Sequence, residues 1–177
     1  MEKMKKTLVG VLTACAIMGA SSAYAVEGRD VQVAARTFGF IEGVPSGTLD
    51  VGIIYDPGVE ASKNEANQMK ALLGSGLKAG KHTLKPTLVE VGSVSSTSAN
   101  VAFVTVGLGA HYDKIFQATS AKKMFTFTKD FSCLVAKKCI MAIETSPAVK
   151  IEISNDAASS SGIAFGQALK MMVKMKD

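Results

Sequence analysis

Val101-Ala102-Phe103-Val104-Thr105-Val106, running directly into Gly107-Leu108-Gly109-Ala110-His111, is the stretch that decides the fold. Its apolar residues follow one another without alternation, the run is too short for a buried helix, and glycines close it. That pattern describes a strand covered on both faces, the kind found inside parallel sheets. Upstream, Leu49-Asp50-Val51-Gly52-Ile53-Ile54-Tyr55 has the same character and is broken by Asp56-Pro57-Gly58. Downstream, Met124-Phe125-Thr126-Phe127-Thr128 is a further strand. Cys139 to Glu144 and Val149 to Ile153 form two more, joined by Thr145-Ser146-Pro147-Ala148. Leu84, Leu88, Val89 and Val91 mark a strand over 84–91 in which Pro86 points to a start or an edge.

Helical repeats separate these runs. Val31, Ala34, Ala35, Phe38 and Ile41 recur at helical spacing, with Asp30 available as a cap and an end near Gly43 before the turn Val44-Pro45-Ser46-Gly47. Residues 59–78 place Val59, Ala66, Met69, Leu72, Leu73 and Leu77 on one face, and Gly80 is positioned to stop them. A short helix is predicted over 110–121. A last one runs from Asn155 towards Lys174, with Ala158, Phe165, Leu169 and Met172 facing the core and Gly162 placed to kink or split it. The polar stretch Gly92 to Asn100 reads as a loop. Together the elements predict one α/β domain over residues 26–177: a layered, mostly parallel, Rossmann-like sheet flanked by helices, with a C-terminal hairpin and helix. Such sheets present ligands at the carboxyl ends of their strands. Here those ends are Tyr55-Asp56-Pro57, Gly107 to His111, Thr128-Lys129-Asp130 and Glu144-Thr145.

The 177 residues are 47% hydrophobic and 20% charged with a net charge of +5, which excludes a disordered or collagen-like chain. Lys3, Lys5 and Lys6 precede an apolar run from Thr7 to Ala20, which meets Ala23-Tyr24-Ala25. This is the grammar of a secretory signal peptide over residues 1–25, cut after Ala25. Leu12-Thr13-Ala14-Cys15 offers a competing reading, lipid attachment at Cys15. The apolar run is shorter than the roughly 20 residues of a spanning helix. Positive charge is scattered over Lys122-Lys123, Lys137-Lys138, Lys170, Lys174 and Lys176, without the basic stripe and stacking aromatics of a nucleic-acid binder.

Beyond residue 25 two cysteines remain, Cys133 and Cys139. In an oxidising compartment this close pair reads as a structural disulfide, with a labile, redox-sensing bond as the alternative. The spacing is not Cys-x-x-Cys, His82 and His111 belong to no metal spacing, and no serine sits in Gly-x-Ser-x-Gly. The expectation is therefore a non-enzymatic protein without catalytic residues, metal or cofactor. The candidate ligand-binding residues are those of the strand ends: Tyr55, Asp56, Ser62 on the helix that follows, Gly107, Gly109, His111 and Asp130. Each has a plainer reading. Asp56 suits a turn or cap, and Gly107 and Gly109 suit a close turn, lacking the third glycine of a dinucleotide site. His111 is a surface residue or a sensor of pH or ligand. Met171, Met172 and Met175 offer either core packing and a frayed tail or an adaptable partner surface.

Two resemblances accompany these readings. Val33 to Pro45, the strand Val101 to Val106, Thr126-Phe127-Thr128-Lys129-Asp130-Phe131, and Val149 to Ala158 with Gly162-Ile163 and Ala168-Leu169 resemble the YfiR family of periplasmic proteins. Val44 stands where the family usually has Trp before its Pro, and Lys137-Lys138 replaces a Gly-Gly. The resemblance implies a homodimeric periplasmic regulator. Such a protein holds a membrane diguanylate cyclase inactive through that enzyme's periplasmic domain until envelope or redox stress releases it. Separately, Val51 to Pro57 followed by Ser62 and a helix is similar to the opening of one lobe of ABC-type periplasmic solute-binding proteins. Residues 26–177 suffice for one such lobe, which implies a single-lobe module for a small-molecule ligand. The two resemblances thus name different partners, an envelope membrane protein and a small molecule.

Overall fold

The structure is a computed structural model that describes residues 26–177; residues 1–25, with the expected signal peptide and the alternative lipid site at Cys15, lie outside the described residues. Helix α1 (Gly28–Phe38) begins one turn earlier than its apolar spacing suggests. Glu27 holds the N-cap position, and Asp30, three residues on, accepts the Glu27 backbone N–H at 2.9 Å. The helix buries Val31, Ala34, Ala35 and Phe38, the predicted face. Strand β1 (Gly47–Tyr55) leads to α2 (Glu60–Leu73), and a hairpin of β2 (Leu77–Ala79) and β3 (His82–Glu90) follows. A 3-10 turn over Val91–Ser96 tucks Val94 into the core before β4 (Val101–Val104). Helix α3 (Tyr112–Ala121), β5 (Phe125–Thr128), the short α4 (Phe131–Val135), β6 (Met141–Glu144) and β7 (Lys150–Ser154) come next. The chain ends in α5 (Asn155–Ser160), α6 (Gln167–Met172) and β8 (Lys174–Lys176).

Among the described residues these strands form one sheet in the order β2-β3-β1-β4-β5-β6-β7-β8. The five from β3 to β6 are mutually parallel, whereas β2 and β7 run antiparallel to their neighbours β3 and β6. Strand β1 lies between β3 and β4, so successive connections leave β1 in opposite directions and the carboxyl ends of β1 and β4 diverge at a topological switch point. The apolar runs have a direct cause. Residues of β4 and β5 are buried throughout because Val101, Phe103, Phe125 and Phe127 face one core, while Ala102 and Val104 face a second across the sheet. In the larger core Phe38 meets Phe125 and Phe127 edge-on at 5.8 and 5.6 Å between ring centres.

Three departures from the sequence expectation have local reasons. Helix α2 stops at Leu73 because Leu77 is taken by β2, where it pairs with Leu84. Pro86 sits inside β3 rather than at its start, two residues beyond the last one paired with β2, where β3 is an edge. The predicted last helix is two short ones. Gly162 adopts φ +64, a left-handed conformation that ends α5, and Phe165 then bridges back to Ile41. The backbone bonds Glu42 N–H to Ala164 O and Gly166 N–H to Phe40 O fix that return. No helix of the described residues is long and apolar enough to cross a membrane.

Cys133 and Cys139 are joined in a disulfide, fully buried, that ties α4 to the chain two residues before β6 begins. Closing so small a loop in the unfolded chain contributes about 2 kcal/mol. The double substitution Cys133→Ser, Cys139→Ser is expected to lower the unfolding free energy by about that amount in chemical denaturation. An unchanged denaturation midpoint would show that packing alone holds the loop.

Candidate functional site

The carboxyl ends of the central strands surround a pocket of about 710 Å³. Val106 and Gly107, after β4, form one wall with Ala61 of α2. Lys129 and Asp130, after β5, form the floor, and Phe131 and Ser132 of α4 a second wall. Glu144 at the end of β6 and Lys150 at the start of β7 complete it. These two are paired neighbours in the antiparallel ladder, so the β6–β7 hairpin delivers one charge of each sign to the rim. Lys150 Nζ lies 4.0 Å from the centre of the Phe131 ring, a cation–π contact.

Beneath the floor is a buried ion pair. Lys129 Nζ donates to Asp30 Oδ2 at 2.7 Å, with side chains 7% and 3% exposed. Thr145, after β6, donates to the other oxygen at 2.7 Å. Burial by itself would raise the Asp30 pKa, but the bonds from Lys129, Thr145 and the Glu27 N–H prevail and hold the carboxyl below its ordinary value. Glu65 of α2 is the opposite case. Its Oε2 accepts the Val106 N–H at 2.7 Å, while its Oε1 is buried with no hydrogen-bond partner among the described residues. Burial pushes its pKa up to about 7, against the pull of the Val106 N–H and of the Lys129 charge, so this carboxyl exchanges its proton near neutral pH. Asp130 is half-buried: Oδ1 accepts from the Ser132 backbone at 2.9 Å and Oδ2 from the Tyr112 hydroxyl at 2.5 Å. Burial and the bond to Asp130 raise the Tyr112 pKa, so the phenol stays a donor.

Of the residues singled out in the sequence, Gly107 and Asp130 line this pocket. Gly107 has φ +79, and a methyl group there would lie 2.9 Å from Val59 Cγ1, so both backbone and space require glycine. Asp56 and His111 meet each other instead, Oδ2 to Nε2 at 3.1 Å, while Asp56 Oδ1 accepts the Gly58 N–H in a turn. Ser62 is fully buried and structural in its contacts: it accepts the Asp56 N–H and bonds Thr105, pinning α2 to the ends of β1 and β4. Tyr55 is half-buried against the larger core, and Gly109 is exposed in a 3-10 turn. Lys129 and Glu144 belonged to named strand ends without being singled out. Glu65 and Lys150 carried no sequence signal beyond a charge beside an apolar run, and Asp30 was marked only as a helix cap.

No protein-family model matches the chain, and no curated protein matches its sequence. Solved structures do. The chain is similar to a conserved domain protein from Vibrio cholerae O1 biovar El Tor, at 12% identity and TM-score 0.52 over 84% of this chain and 60% of that one. It is also similar to an ABC domain in complex with L-Trp from Streptococcus pneumonia, at 11% identity and TM-score 0.56 over 82% of this chain and 60% of that one. The chain thus spans about 60% of the length of each. At these identities the likeness establishes the class of fold alone, a mostly parallel α/β domain, and it lends nothing to the YfiR resemblance.

Glu65 makes the stability of the domain depend on pH in a defined window. A carboxyl whose folded pKa is about 7 against an ordinary 4.5 binds its proton more tightly when folded. Its contribution is fully present below 4.5, is lost as the pH rises to about 7, and stays level above that. The loss amounts to about 3 kcal/mol at most. Asp30 acts in a separate window, below 3.8, where acid removes its contribution. Urea denaturation from pH 5 to 8 is expected to show the decline in the wild type and a flat profile in Glu65→Gln; parallel profiles would remove Glu65 as its source.

Proposed function

We propose that residues 26–177 form an exported, non-enzymatic module that binds a small zwitterionic, amino-acid-like molecule at the strand ends. The observation that carries this reading is the pocket over the carboxyl ends of β4, β5 and β6, lined by two cations, Lys129 and Lys150, and two carboxylates, Asp130 and Glu144. A zwitterion matches both signs at once, and Phe131 supplies an aromatic wall for its side chain. The complex of the pneumococcal domain with L-Trp supports the same ligand class. The signal-peptide reading supports an address beyond the inner membrane. A second reading, a dimeric regulator in contact with an envelope membrane protein such as a diguanylate cyclase, has one structural feature in its favour. Met171 and Met172 of α6 are 82% and 63% exposed, a flexible apolar surface of the type partners use.

The test is a thermal-shift screen of the free amino acids, followed by calorimetry. A ligand present at a hundred times its Kd stabilises by about 2.7 kcal/mol, a rise of several degrees in Tm. Glu144→Ala and Lys150→Ala, both at the rim and outside the core, are expected to weaken binding about tenfold or more while leaving the ligand-free Tm unchanged. No shift from any member of the panel, together with in-cell crosslinking to an envelope protein, would transfer support to the regulator.

A further inference from the structure

At the far flank of the sheet, away from the strand-end pocket, a second cavity of about 430 Å³ lies between the end of α1 and the β2–β3 hairpin. Its walls include Ala35, Arg36, Phe40, Ala79, Lys81 and His82. His82 opens β3 and is 5% exposed, with its ring edge-on to Phe38 at 6.4 Å. Neither ring nitrogen has a hydrogen-bond partner among the described residues. A neutral imidazole carries one donor and one acceptor. Burying both unpaired forfeits their hydration without return, and native interiors rarely keep such a group without a use.

We propose that this cavity is a second binding site, for a small amphipathic anion with an apolar body and a single carboxylate-like head. The apolar body is matched by Ala35, Ala79 and Phe40, an aromatic ring left 38% exposed at the mouth. The negative head is matched by Arg36 and Lys81, neither of which is in an ion pair among the described residues, and by the imidazole N–H, which the ring must turn toward the cavity because both its nitrogens are closed off from solvent. All three polar groups offer donors, and the site contains no carboxylate, so a zwitterion or a cation is disfavoured. The volume falls in the range of small-molecule sites, roughly 300–1,000 Å³. This site does not depend on the strand-end reading, because the two pockets share no residue.

The probe is 4-phenylbutyrate, with the neutral alcohol 4-phenylbutanol as its control, titrated into the purified protein and followed by NMR of the His82 ring and of the backbone amides. The expected result is a saturable shift of the His82 ring nitrogens and of the amides over 79–82, with the alcohol about tenfold weaker. His82→Phe keeps an aromatic ring against Phe38 and removes both nitrogens; it should fold, melt no lower than the wild type, and lose the binding. Should that variant fail to fold, Arg36→Ala, which is exposed, is expected to weaken phenylbutyrate but leave the alcohol unaffected. Absence of a saturable shift, undiminished binding in a folded His82→Phe, equal affinity for acid and alcohol, or shifts centred on Lys129 to Ser132 would each overturn the proposal.

Discussion

The buried pair of Asp30 and Lys129 is the constraint on which the strand-end site depends. It spans 2.7 Å, joins the first turn of α1 to the end of β5, and recruits Thr145 from the end of β6. Stability alone is a poor explanation for it. Two desolvated charges regain in attraction about what they lose in hydration, and a well-packed apolar pair of equal volume does as well or better. What apolar residues cannot do is fix a cation at the floor of a pocket. The carboxylate collects three donors, from Glu27, Lys129 and Thr145, which keeps it ionised while buried and so keeps its partner in place.

The same arrangement explains why Glu65 behaves differently from Asp30 although both are buried carboxyls facing the same lysine. Asp30 takes the lysine's hydrogen bond directly. Glu65 receives only the charge of Lys129 and one backbone N–H, while the negative charges of Asp130 and Asp30 oppose its ionisation. One cation cannot satisfy three carboxylates in a low-dielectric interior, and the carboxyl with the fewest donors retains its proton longest. That leaves a group with a pKa of about 7 bonded to Val106, itself a wall of the pocket, so the charge behind that wall changes within the ordinary range of pH.

The central sheet was legible because burial on both faces abolishes alternation, and Val101 to Val104 and Phe125 to Thr128 are buried at every position. The C-terminus was not. Phe165, Leu169 and Met172 satisfy a helical repeat, yet Phe165 is claimed by a bridge to Ile41, 124 positions away in sequence, and Met172 is left exposed. Periodicity reports a face; it does not report which partner will take it. The site divides along the same line. Gly107 and Asp130 were found because a parallel sheet gathers its strand ends. Asp30 and Glu65 act through partners separated by 99 and 41 positions, and nothing local marks a charge that will be paired at such a distance.

Lys150 escaped for a reason of topology. The rule that ligands meet carboxyl ends assumes parallel strands, but β7 returns antiparallel to β6, so its first residue, and not its last, lies beside Glu144. A site read only from carboxyl ends therefore loses the charge that the hairpin contributes. Once there, Lys150 rests on Phe131, and Phe131 opens the helix that the disulfide anchors through Cys133. A five-residue helix has little stability of its own. The covalent bond from α4 to the chain entering β6 holds the aromatic wall at a fixed distance from the hairpin, so the disulfide braces the pocket as well as the fold.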